Sequence, residues 1–135
     1  MRTILFVCGH NAGRSQMAEA FATKLIQERG LDVRARSAGT SPGERINPLV
    51  ERAMEEVGIS MTGRRPKILN ADMAAEADTI ITMGCGVDTE SCPARFLVSE
   101  DWGLDDPAGA PVERVREIRD LVRVRVEELL ARMGS

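Results

Sequence analysis

Aromatic side chains are scarce: the 135 residues hold no tyrosine, one tryptophan and three phenylalanines. Histidine occurs once, as His10, and cysteine three times, as Cys8, Cys85 and Cys92. With 18 basic against 21 acidic residues the net charge is −3. A net acidic chain with few stacking rings is a poor nucleic-acid binder. One histidine and a C-x6-C pair are not a zinc ligand set. Apolar runs such as Ile4 to Cys8 are too short to span a bilayer. Arg2 leads straight into a strand-like run, so no signal peptide is expected. An odd, small number of cysteines reads as reduced thiols in the cytoplasm rather than a disulfide framework.

What remains is the composition of an ordinary globular chain, with 43% apolar and 29% charged residues. At this length one domain, residues 1–135, is expected. Thr3 to Cys8 is a β-rich apolar run and predicts a buried strand. From Ser15 to Arg29 the apolar residues Met17, Ala18, Phe21, Ala22, Leu25 and Ile26 have helical spacing, and Gly30 stops the helix. Val33 to Ala38 predicts a second strand, which completes a βαβ unit. Asn47-Pro48 caps a helix striped by Leu49, Val50, Ala53, Met54 and Val57, ended by Gly58. A short helix over Ala71 to Ala77 precedes a third strand, Thr79 to Met83. A fourth strand is expected over Arg95 to Val98 and a loop over Asp101 to Pro111. Val112, Val115, Ile118, Val122, Val126, Leu129 and Met133 stripe the last helix. The alternation predicts an α/β fold, an open parallel sheet with helices on both faces.

Ligands of such sheets bind beyond the carboxyl ends of the strands. Cys8-Gly9-His10-Asn11-Ala12-Gly13-Arg14-Ser15 occupies that place. A turn feeding a helix N-terminus aims several N–H groups inward, and the helix dipole favours an anion. Gly9 and Gly13 let the backbone curl around it. Arg14 adds a planar fork suited to a tetrahedral oxyanion. Thiols in such fields have pKa values of ~3.5–7.5, so Cys8 becomes a nucleophile. A lone cysteine is more often an inert core residue; the whole arrangement around Cys8 argues otherwise. Asn11 either braces the loop or is a turn residue, and Ser15 either favours the Cys8 thiolate or caps the helix. His10 reads as a solvent-facing residue rather than one that tunes the site.

Cys85 and Cys92 flank a turn-rich segment after the third strand. That places Cys85 at the same sheet edge as Cys8 and permits thiol–disulfide exchange, the alternative being two unrelated thiols. Asp106, before Pro107, is either a general acid or a turn residue.

VCGHNAGRSQMAEAF resembles the catalytic loop and first helix of arsenate reductases built on the low-molecular-weight tyrosine phosphatase fold. VRARSAG, TIITMGCGVDTESCP and DWGLDDPAG resemble further stretches of those reductases, in the same order. The resemblance implies a four-stranded parallel sheet in order 2-1-3-4, flanked by helices in three layers. It implies Cys8 as nucleophile, Arg14 as oxyanion binder, Asp106 as acid, and Cys85 and Cys92 as relay thiols. Gly9 to Ser15 would hold the oxyanion. Arsenate is the implied substrate and thioredoxin the implied reductant, with no metal or organic cofactor. The Gly-His-Asn-Ala-Gly interior is closer to relatives that use mycothiol and a mycoredoxin, and Gly13 stands where some thioredoxin-coupled members carry a cysteine. Some members bind potassium through Asn, Glu, Ser and Asp. Asn11, Glu19 and Ser37 match, but Lys67 stands at the Asp position, so no potassium requirement is expected.

Two other classes share the loop. A low-molecular-weight phosphatase needs Cys8, Arg14 and Asp106 but not the cysteine pair, and would use aromatics to stack a phenol ring. A non-catalytic redox sensor predicts thiol oxidation without arsenate turnover. No membrane association is expected, and the acidic surface favours a monomer.

Overall fold

The computed structural model describes residues 1–83 and 100–134. Strand β1 (Arg2–Cys8) leads into α1 (Arg14–Arg29) and β2 (Val33–Gly39). Then come α2 (Pro48–Glu55), α3 (Ala71–Glu76), β3 (Thr79–Thr82), β4 (Glu100–Asp101) and α4 (Val112–Gly134). Every pairing is parallel, and the sheet order is β2-β1-β3-β4, the expected 2-1-3-4.

Strand β1 is central, which explains why its sequence is apolar without alternation: both of its faces are covered. Successive side chains still point to opposite faces. Ile4, Phe6 and Cys8 join one core cluster with Met17 and Phe21 of α1, Val50 and Met54 of α2, and Ile118 and Val122 of α4. Leu5 and Val7 join a second cluster with Met73 and Ala74 of α3. The sheet is therefore the middle of three layers. Truncating a core residue such as Ile118 to alanine costs about 2–5 kcal/mol.

The punctuation behaves as the sequence predicts. Gly30 ends α1 in the left-handed conformation at φ 63°. Asn47 caps α2, its side chain accepting from Leu49 N–H at 2.9 Å, with Pro48 in the first turn. Some boundaries differ from expectation. Helix α1 begins one residue earlier, at Arg14, and β2 runs on to Gly39. Strand β3 stops at Thr82, before Met83. Helix α2 closes at Glu55, and Val57 lies in the turn that leads to Gly58 at φ 80°. Ala77 is extended, outside α3. Asp101, expected in a loop, pairs with Thr82 in β4. The strand expected over 95–98 lies outside the described residues. No helix among those described is long and apolar enough to cross a membrane.

Candidate active site

Cys8 is the last residue of β1 and is buried beneath the loop that leads to α1. The loop carbonyls are bonded on its outer side. Thr40, Ser41, Gly43 and Asn47 donate their N–H groups to the carbonyls of Cys8, Gly9, His10 and Ala12, at 3.3, 2.8, 2.9 and 2.9 Å. Gly13 O accepts from Met17 N–H inside α1 at 2.9 Å. With its carbonyls drawn outward, the loop can turn N–H groups toward its concave side, and helix α1 adds an N-terminus without a side-chain cap. That concavity suits an anion.

Residue 39 must be glycine for this wrapping. A Cβ there would lie 2.7 Å from Gly9 O and 2.9 Å from Asn11 N. Nothing in the residue pattern of 39–46 assigns this role to Gly39. The available signal was a glycine directly after a strand at the sheet edge that carries the ligand site.

Asn11 is wholly buried and left-handed, at φ 51°, a conformation that asparagine tolerates better than most residues. Its N–H points to Cys8 Sγ at 3.3 Å, and its Nδ2 donates to Ser15 Oγ at 2.7 Å. Ser15 Oγ lies 2.8 Å from Cys8 Sγ. The amide nitrogen can only donate, so the serine hydroxyl accepts from it and turns its own proton toward the sulfur. Both contacts therefore aim hydrogen-bond donors at the sulfur.

Arg14 is 3% exposed and is held on one side only. Nη1 donates to Met83 O at 2.8 Å and Leu104 O at 2.7 Å. Nε has no hydrogen-bond partner among the described residues, and Nη2 lies 3.7 Å from Asp106 Oδ2. Burying an arginine N–H without a partner is unfavourable, so the free edge calls for an acceptor. A tetrahedral oxyanion taking two parallel hydrogen bonds meets that need. Asp106 is 43% exposed, and its Oδ1 accepts from Ala108 N–H at 3.0 Å, so it is both a turn residue and a rim carboxylate.

Cys8, His10, Ala12, Gly13, Arg14, Asn47, Asp106, Pro107 and Ala108 enclose a cavity of about 40 Å³. That holds a few water molecules, or one small oxyanion. Among the described residues no aromatic ring lines it. Gly9 is buried in the loop beneath and Ser15 in the first turn of α1, and His10 is exposed at the mouth. Cys85 and Cys92 lie outside the described residues, as does any approach of theirs to Cys8.

Lys67 projects beside α1, with Nζ 3.5 Å from Glu19 Oε1 and 3.4 Å from Ser37 Oγ. Arg64 also pairs with Glu19. Among the described residues no cluster of three or more His, Cys, Asp or Glu could hold a metal.

The chain is 40% identical to a putative arsenate reductase of Halobacterium salinarum over 126 residues, covering 92% of this chain and 87% of that protein. It is 36% identical to the glutaredoxin arsenate reductase of Synechocystis sp., covering 99% and 100%. Among solved structures, the thioredoxin-dependent arsenate reductase of Corynebacterium glutamicum superposes with a TM-score of 0.75 at 35% identity, over 97% of this chain and 61% of that one. Two of these relatives are described as arsenate reductases, one of them as putative. The low molecular weight phosphotyrosine protein phosphatase family matches residues 3–135, so the chain belongs to that family.

Proposed function

We propose that this chain reduces arsenate to arsenite. The observation that carries the reading is the one-sided tethering of Arg14, which leaves Nε and Nη2 for an oxyanion in the cavity that Cys8 lines. The relatives described as arsenate reductases support arsenic over phosphorus.

Arsenate docks against the amides of residues 9–15 and the free edge of Arg14. The Cys8 thiolate attacks arsenic. One arsenic–oxygen bond breaks, and Asp106 protonates the departing oxygen, which leaves as water. The Cys85 thiolate then attacks Cys8 Sγ. The sulfur–arsenic electron pair passes to arsenic, which falls from the +5 to the +3 state and departs as arsenite. The two sulfurs are oxidised to a Cys8–Cys85 disulfide. Cys92 attacks Cys85, frees Cys8, and leaves a Cys85–Cys92 disulfide for an external dithiol to reduce. Free thiols that cycle in this way need a reducing compartment, in keeping with a cytoplasmic location.

We assign thioredoxin as the donor. One similar protein is described as thioredoxin-dependent and another as a glutaredoxin arsenate reductase, so the test carries both donors. NADPH consumption with arsenate is followed with thioredoxin and its reductase, and separately with glutathione, glutaredoxin and its reductase. Turnover with thioredoxin is expected in the wild type. Cys92→Ser should release one arsenite per enzyme and then stop. Multiple turnover by Cys92→Ser would overturn the relay. No arsenite at all from the wild type would overturn the reductase and leave the phosphatase reading, which shares Cys8, Arg14 and Asp106.

A further inference from the structure

Gln16 follows the nucleophile loop and is wholly buried, yet it touches neither the cavity nor Cys8. Its Nε2 donates to two acceptors, Asn11 Oδ1 and Arg65 O, each at 2.9 Å. A backbone carbonyl can only accept, so Arg65 fixes which end of the Gln16 amide faces Asn11. Lys67 N–H donates to the same Asn11 Oδ1 at 2.8 Å. Two donors on Oδ1 turn the Nδ2 end of Asn11 to Ser15, whose hydroxyl is thereby turned to Cys8. The backbone at 65–67 thus sets the polarity of a chain of side chains that ends on the sulfur.

Gln16 Oε1 has no hydrogen-bond partner among the described residues. A buried polar atom without one is a cost that an apolar side chain of the same size would avoid. The residue is therefore poorly explained by stability alone.

We infer that Gln16 is a positioning residue for the nucleophile: by locking the amide of Asn11 it holds the Ser15 hydroxyl as a donor to Cys8 and keeps the sulfur ionised. The inference rests on Cys8 being the nucleophile of the proposed reaction, but not on arsenic being its target.

The test is the pH profile of Cys8 alkylation by iodoacetamide, resolved from Cys85 and Cys92 by peptide mass spectrometry. Wild type is compared with Gln16→Met, which conserves volume and removes both donors. His10, Arg14 and Asp106 around the cavity, and Glu19, Arg64 and Lys67 beyond Gln16, are present in both proteins. The expected result is a midpoint raised by roughly half to one pH unit, the scale of one net hydrogen bond, with a cooperative thermal transition retained. Gln16→Asn keeps a buried amide that is too short to bridge Arg65 and Asn11, and should move the midpoint in the same direction by less. It stands in if the methionine variant does not fold. A melting point lowered with an unmoved alkylation profile would overturn the inference and leave Gln16 a structural residue. Raised midpoints in the variants support it even if the wild type turns over no arsenate; in that case only the reductase reading fails.

Discussion

Gly13 lies so close to Pro107 that a Cβ at position 13 would stand 2.8 Å from Pro107 Cγ. The loop that carries Asp106, the proposed acid, is seated directly on the loop that follows Cys8, the proposed nucleophile, the two touching residues 94 positions apart in sequence. Glycine at 13 is a condition of that seating. Its φ is −146°, outside the left-handed region, so the contact itself forbids a side chain.

Gly13→Ala should therefore displace Pro107, and Asp106 with it. We expect kcat/KM for arsenate to fall at least tenfold, because small misplacements of reacting groups are expensive. Steady-state kinetics checks this, with a thermal melt as the folding control. An alanine variant with wild-type kinetics would show that the acid loop is free to move.

Arg14→Lys keeps the charge but not the fork. An ammonium cannot bond Met83 O and Leu104 O while giving two parallel hydrogen bonds to an oxyanion. The expected loss in kcat/KM is about 10²–10³-fold, the range for removing a preorganised donor. Binding of inorganic phosphate, measured by calorimetry, should weaken in parallel. Undiminished phosphate binding in the lysine variant would contradict the bidentate role.

Potassium should be dispensable. The Lys67 ammonium already lies beside Glu19 and Ser37, where a cation would otherwise be drawn. Exchanging potassium for sodium chloride at constant ionic strength should change neither turnover nor melting temperature. A rise specific to potassium would show that the ammonium does not replace the ion.

The Glu100 carboxyl is held below the usual carboxylate range, first by the indole N–H of Trp102 at 2.6 Å and then by Arg132 at 3.2 Å. A lowered carboxyl stabilises the fold above its ordinary pKa, and the contribution is lost as pH falls through the folded-state value. Stability should thus decline on acidification through the acid end of the carboxylate range, by about 1 kcal/mol after solvent screening. Trp102 is the single tryptophan, so its fluorescence reports the step. In Glu100→Gln that part of the acid transition should disappear; an unchanged transition would place the effect elsewhere.

Much of the fold was legible because its signals are local. A six-residue spacing puts Cys8 and Arg14 on one strand-to-helix turn whatever surrounds them. A short unbroken apolar run assigns β1, period-3.6 apolar patterns assign α1 and α4, and Asn47-Pro48 and Gly30 mark helix ends by their own backbone preferences. The boundaries that shifted, such as β2 reaching Gly39 and Asp101 entering β4, depend on what the neighbouring strand offers for pairing.

The sequence by itself determined that a cysteine and an arginine share one strand-to-helix turn of a kind suited to an anion. Only the tertiary structure decided how that turn works. Arg14 presents one free edge because carbonyls 69 and 90 positions away hold the other. The loop can face its amides inward because the backbone of 40–47 takes up its carbonyls, and Gly39 leaves them room. Asn11 points its amide at Ser15 because the backbone at 65–67 and Gln16 fix the opposite end. The physical reason is common to all three. Most of the partners are main-chain groups, which every residue carries, so no side-chain pattern announces them until the chain has folded.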